Sequence, residues 1–326
     1  MRELLSLNHV SKAFSLRSRA PRGRHTSILA VNDLSLSVQQ GEVLGLVGES
    51  GCGKSTLGKL ATGLIPADNG NIVFNGTDIT QISARRMRPI RRGMQMVFQD
   101  PFSSLNPRMR VRDILAEPFI IHNLAPENMR AQIEENLHAV GLKAADAQRY
   151  PHEFSGGQRQ RIGIARALSL RPELIIADEP VSALDLSVQA QIVALLQQLK
   201  RDFSLTYVFI SHDLSVVRQI CTRVAVMYLG RIIEIGSTAQ IFNNPLHPYT
   251  EMLLQALPVT DPRRRKVYAP SGDIPSPSAI PAGCPFHPRC PYAQPQCKTR
   301  LPALVISADA RQVACTRYTE LRLNGI

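Results

Sequence analysis

The chain of 326 residues has no tryptophan, and aromatics make up only 5% of it. Surfaces that read nucleic acid interleave aromatics with cations, so this scarcity argues against an RNA or DNA binder. No stretch approaches the ~20 consecutive apolar residues that span a bilayer. The opening MRELLS lacks an apolar core followed by a small-residue cleavage site. These absences predict a cytosolic chain that does not itself cross a membrane. Acidic residues are also scarce: 26 Asp and Glu stand against 38 Lys and Arg, for a net charge of +12. Such an excess suits anionic neighbours, whether nucleotides or lipid headgroups. Part of it lies in two runs, Arg17 to Arg24 and Arg263-Arg264-Arg265-Lys266. Both read first as solvated loops and second as membrane-surface patches. No internal repeat is visible. Six cysteines in a cytosolic chain point to metal, redox or packing roles rather than disulfides.

What is present is dominated by Gly48-Glu49-Ser50-Gly51-Cys52-Gly53-Lys54-Ser55. The spacing fits a loop whose glycines let successive N–H groups turn toward phosphate oxygens. Lys54 would lie near the β- and γ-phosphates, and Ser55 would offer a hydroxyl to Mg²⁺. An apolar strand, Val43 to Val47, leads in, and a helix from Leu57 to Leu64 leads out. Further strands are expected at Leu4–Val10, Ile72–Phe74, Met94–Phe98, Leu174–Ala177, Tyr207–Ile210 and Val224–Tyr228. Two helices are expected between Val111 and Val140, broken near Pro126, and another over Ser187–Arg201. Strands alternating with helices predict an α/β fold on a parallel sheet. After Leu257 prolines become dense and periodicity is lost, which places a boundary between residues 1–257 and a loop-rich module at 258–326.

Strand Leu174–Ala177 ends in Asp178 and Glu179, where parallel sheets hold ligands. Asp178 would join the Mg²⁺ shell with Ser55 and Gln99, and Glu179 would take a proton from an attacking water. Gln99 and His212 each follow a strand and could reach the same water or the γ-phosphate. Phe154-Ser155-Gly156-Gly157-Gln158 opens a helix from Arg159 to Leu168 and makes a second anion-binding N-terminus. One triphosphate needs only one cradle. The second therefore predicts a dimer in which Ser155, Gly156, Gly157 and Gln158 face a partner's nucleotide.

The set GESGCGKST, Gln99, FSGGQ, IIADEP, SALD and SHD, in this order over residues 1–256, resembles an ATP-binding subunit of ABC transporters. The resemblance implies a RecA-like P-loop core with an antiparallel β subdomain and a helical subdomain at about 108–167. It implies that Thr56 contacts ATP, that Phe14 stacks on adenine, and that Ser182, Ala183, Leu184 and Asp185 form the loop between paired sites. The stretches QDPFSSLNP, RYPH, PVSALD and NPLHPYT are similar to the dipeptide/oligopeptide permease branch, which includes nickel and glutathione importers. Phe154–Ile162 and Tyr207–Val217 lean toward its second ATPase subunit. That implies a heterodimer at the cytoplasmic face of the inner membrane, beneath two permease subunits fed by a periplasmic or lipoprotein binding protein. Gln99–Asn106 would carry the groove for a permease helix.

Cys284, Cys290, Cys297 and Cys315 form a quartet in proline-rich sequence. A short module with little periodicity needs a staple, which four thiolates could provide. Structural zinc usually shows tighter pairs. Four cysteines also suit a [4Fe-4S] cluster, leaving iron–sulfur, zinc and free thiols open. The resembling peptide-importer subunits commonly carry this pattern. Cys52 and Cys221 read as packing residues.

Overall fold

The structure is a computed structural model and describes residues 2–16, 26–100, 104–124, 127–257 and 273–326. Both arginine-rich runs, Pro126, and residues 101–103 of the Gln99–Asn106 segment lie outside the described residues. Two sheets form the frame. In the smaller, β1 (Glu3–Leu16) pairs antiparallel with β2 (Thr26–Gln39) and with β4 (Asn69–Phe74), and β5 (Thr77–Asp78) extends β4. The first strand is longer than Leu4–Val10. β2 was not expected, although Leu34, Leu36 and Val38 alternate with serines at the two-residue period of a half-buried strand.

The second sheet holds β3 (Val43–Val47), β6 (Met94–Val97), β7 (Leu174–Asp178), β8 (Thr206–Ile210), β9 (Arg223–Tyr228) and β10 (Arg231–Ser237). It is completed by β11 (Val305–Ile306) and β12 (Gln312–Val313). Its order is β11-β12-β10-β9-β3-β8-β7-β6. The stretch from β9 to β6 is parallel, whereas β10, β12 and β11 run antiparallel. β3, β7 and β8 are buried at every position, which explains their unbroken apolar runs. Because β12 pairs with β10, residues after the proline-rich boundary complete the sheet of the residues before it.

Helix α1 (Lys54–Ala61) follows β3 and begins at Lys54, three residues before the expected Leu57. α2 (Ala84–Ile90) precedes β6. α3 (Val111–Ile121), α4 (Met129–Ala139) and α5 (Gly156–Leu168) make the helical part between β6 and β7. α5 starts at Gly156 rather than Arg159, because Ser155 caps it: its hydroxyl accepts from the Gln158 N–H, and the Gln158 side chain accepts from the Ser155 N–H. α6 (Leu186–Phe203) and α7 (Leu214–Ile220) flank β8. α8 (Thr238–Asn243), α9 (Pro248–Gln255) and the short α10 (Pro295–Thr299) complete the fold. No helix of the described residues is long and apolar enough to cross a membrane.

Candidate nucleotide site

The C-terminal ends of β3, β8, β7 and β6 lie side by side, and each delivers part of one cluster. After β3, the chain turns through residues 48–53 into α1. Gly48 (φ 152°) and Gly53 (φ 109°) are required there. A Cβ would stand 2.2 Å from the Met227 carbonyl oxygen at the first and 2.1 Å from that of Ala30 at the second. The close approach to Ala30 shows that β2 walls the loop. Ser50 and Gly51 are exposed at the crest, Cys52 is buried beneath it, and Thr56 sits in the first turn of α1. Burial pushes the Cys52 thiol up, which keeps it protonated and consistent with packing. Lys54 is buried, and its Nζ donates to the carbonyls of Gly48 (2.8 Å) and Glu49 (2.9 Å). A cation is therefore held inside the loop, at the positive end of a helix.

The Ser55 hydroxyl donates to Asp178 Oδ1 at 2.8 Å, which joins α1 to the end of β7. Burial raises the Asp178 carboxyl, with the Ser55 hydrogen bond opposing. A desolvated carboxylate beside a hydroxyl is a hard oxygen set that fits Mg²⁺ arriving with a triphosphate. Next in sequence, Glu179 adopts φ 46°, a left-handed backbone that non-glycine residues reach at a cost of about 1–3 kcal/mol and that clusters at functional sites. Its N–H donates to the Ile210 carbonyl, so the turn is tied to β8. Its carboxylate accepts from Gln99 Nε2 (3.0 Å), just beyond β6, and lies 3.2 Å from His212 Nδ1, just beyond β8. Gln99, Asp178, Glu179 and His212 were each expected near a phosphate. The structure brings them together.

Of the other expected residues, Ser182 touches this cluster through the Glu179 main chain, while among the described residues Phe14 and the start of α5 make no hydrogen bond to it. Ser155 is exposed at the start of α5. Among the described residues, no hydrogen bond joins 155–158 to 48–56. Gly156 and Gly157 instead face the segment after β7. A Cβ on Gly156 would lie 3.5 Å from Leu184, and one on Gly157 only 2.5 Å from Val188. Ser182 folds back so that its Oγ donates to the Glu179 carbonyl, while Ala183 and Asp185 are exposed. Phe14 lies on β1, is 42% exposed, and has Lys12 Nζ 5.8 Å from its ring centre.

The four C-terminal thiols line one small cavity of about 20 Å³. Burial pushes Cys290 up to about 12 and Cys315 up to about 11, and it raises Cys284 as well. Among the described residues, no group of three or more His, Cys, Asp or Glu side chains is arranged to hold a metal ion. The donor chemistry fits a thiophilic group. The present spacing of the thiols does not, and the cavity is of single-water size.

Sequence reasoning missed two residues that touch the loop. The Glu49 N–H donates to the Tyr249 hydroxyl (2.8 Å). The Glu49 carboxylate accepts two hydrogen bonds from Arg289, at 2.7 and 2.8 Å. Tyr249 lies in the NPLHPYT stretch and Arg289 one residue before Cys290. Nothing in either pattern announces a contact with a loop some 200 residues away.

Residues 31–182 match the family model described as ABC transporter, and residues 233–297 match that described as oligopeptide/dipeptide transporter, C-terminal region. The oligopeptide transport ATP-binding protein AppF of Bacillus subtilis is 51% identical over 97% of this chain and 98% of its own. The chain belongs to the ATP-binding proteins of ABC transporters. OppF of Salmonella typhimurium, another oligopeptide transport ATP-binding protein, is 49% identical over 85% of each chain. Among solved structures, the dimeric, ADP- and phosphate-bound cassette MJ0796 aligns with a TM-score of 0.64. It is 27% identical and covers 72% of this chain and 99% of its own. The chain is thus an ATP-hydrolysing transport subunit with the P-loop NTPase fold.

Proposed function

We propose that this subunit powers the import of di- and oligopeptides, working as one half of an ATPase heterodimer beneath two permease subunits. It would lie on the cytoplasmic face of the inner membrane, with a periplasmic or lipoprotein binding protein delivering cargo. The observation that carries the catalytic part is Glu179, hydrogen-bonded to Gln99 and 3.2 Å from His212, one residue from the Ser55–Asp178 pair. The names of the relatives and the C-terminal match support peptide as the cargo.

In this reading Lys54 and the amides of residues 49–56 hold the phosphates, and Phe14 faces adenine. Ser55, Asp178 and Gln99 would hold Mg²⁺, which when bound offsets charge on the phosphate oxygens. Glu179 accepts a proton from the water that attacks the γ-phosphorus as the bond to the bridging oxygen breaks, and His212 orients that carboxylate. The partner's equivalent of Ser155–Gln158 closes the site, and Ser182–Asp185 lie at the seam. The lack of a hydrogen bond between 155–158 and this chain's own loop among the described residues, and the dimeric state of MJ0796, support this arrangement. A groove of about 600 Å³, lined by Phe98, Ser104, Ile121 and Arg166, supports docking of a permease helix there. Cys284, Cys290, Cys297 and Cys315 line one small cavity and would have to rearrange to hold a [4Fe-4S] cluster, with zinc as the alternative. Iron, sulfide and zinc analysis after anaerobic purification tests this.

The function itself is tested in vesicles carrying the permease pair and both ATPases. Uptake of labelled tripeptide should require ATP and stop with Glu179→Gln in this chain. ATP turnover with no peptide uptake would remove the import assignment.

A further inference from the structure

The phosphate loop carries an acid where its task calls for positive charge. Glu49 is the second residue of the loop, and its carbonyl oxygen receives the Lys54 ammonium at 2.9 Å. A bare carboxylate there repels an incoming triphosphate and competes with it for Lys54. Arg289 meets that carboxylate with a bidentate pair at 2.7 and 2.8 Å. Its side chain is only 3% exposed, so water competes poorly for the bond. Its guanidinium lies 5.9 Å from the ring centres of both Tyr228 and Phe286 and 3.7 Å from Met252 Sδ. The Tyr249 hydroxyl fixes the Glu49 main chain from the same side. Among the described residues, the hydrogen bonds that reach Glu49 from outside the loop come from α9 and the cysteine module.

We propose that Arg289 is a positioning residue of the nucleotide site. It neutralises Glu49 and ties the carboxylate to the C-terminal module, so that the loop presents a net positive cradle to ATP. The module is then part of the ATP site and not an appendage. The inference rests on residues 48–55 being the phosphate cradle.

The test is titration of the full chain with a fluorescent ATP analogue, with folding checked by circular dichroism. Arg289→Met should weaken binding about 10-fold at low salt, and less at 0.5 M salt because repulsion between charges is screened. Adding Glu49→Gln to Arg289→Met should return affinity to within about threefold of the parent. The salt dependence separates this from a merely structural strap, whose loss would not be relieved at 0.5 M salt. Glu49→Gln alone should tighten binding, and it decides the matter if Arg289→Met does not fold. Three results would overturn the proposal: parental affinity in Arg289→Met, an Arg289→Met defect that Glu49→Gln leaves in place, or no tightening in Glu49→Gln alone. Lys54→Ala separates the two layers. If it binds the analogue like the parent, the cradle assignment fails; if it loses binding while Arg289→Met does not, only the role of Arg289 fails.

Discussion

The phosphate loop's scaffold and the C-terminal module meet at Glu49 and Arg289, but different forces hold them. The scaffold is the parallel sheet. Leu44, Leu46, Ile175, Ile176, Phe209 and Ile210 are fully buried in it, and each large apolar side chain contributes about 1.5–3 kcal/mol by leaving water. Residues 273–326 offer a five-residue helix, two two-residue strands and few buried apolar side chains. Buried arginines anchor them instead. Arg289 reaches Glu49. Arg311, with a side chain 1% exposed, lies 3.7 Å from the buried Glu234 and donates to main-chain carbonyls of Gln240 and Asn244. Arg317 donates to the Tyr292 carbonyl, and Asn324 to Glu251. Apolar burial is non-directional and leaves a pattern in sequence, whereas an ion pair fixes one geometry and leaves almost none. This module is therefore specified by a few pairwise contacts and breaks at single residues.

The comparison can be pressed at four points. Lys54→Ala attacks the scaffold's cargo and should weaken ATP binding by roughly 100-fold or more, read by nucleotide titration. Gly156→Asp places a carboxylate at the start of α5. It should leave ATP binding to the isolated chain within about twofold while cutting turnover of the assembled complex roughly 100-fold. An equal loss of binding by the isolated chain would show that α5 serves its own loop. Arg311→Met strands Glu234 in the interior and should cost about 3–5 kcal/mol in denaturant unfolding. Val305→Ala, on the exposed β11, should stay within about 0.5 kcal/mol.

A further effect concerns pH. Burial lowers His247 to about 3 from its usual 6.5. Below pH 6.5 the unfolded chain therefore takes up a proton that the folded chain refuses. Stability from this group falls by about 1.4 kcal/mol per pH unit between 6.5 and 3. His247→Asn should flatten the acid limb of the stability profile by that slope. An unchanged limb would place the acid sensitivity elsewhere.

The same contrast explains what could be read in advance. Strands β3, β6, β7 and β8 announce themselves as apolar runs, and Gln99, Asp178, Glu179 and His212 fall at or just beyond the ends of β6, β7 and β8. Gln99, Asp178, Glu179 and His212 could therefore be nominated before their side chains were seen to meet. The reading stopped at Leu257 because periodicity stops there. Arg289 carries no local signal, for its partner lies 240 residues away. β10 went unread because Glu234 breaks its apolar run, although that acid is fully buried and satisfied by the N–H groups of Leu246 and His247 and the Thr250 hydroxyl. The cysteine quartet was visible as a set, but spacing could not convey that the four thiols line one small cavity.

The most direct measurement is on Glu179. In the assembled complex, Glu179→Gln should bind ATP within about threefold of the parent and lower turnover at this chain's site by about 100-fold or more. It should also hold the two ATPase subunits together on native gels or by light scattering. Parental turnover at that site would contradict the assignment of the strand-end cluster as the hydrolytic centre.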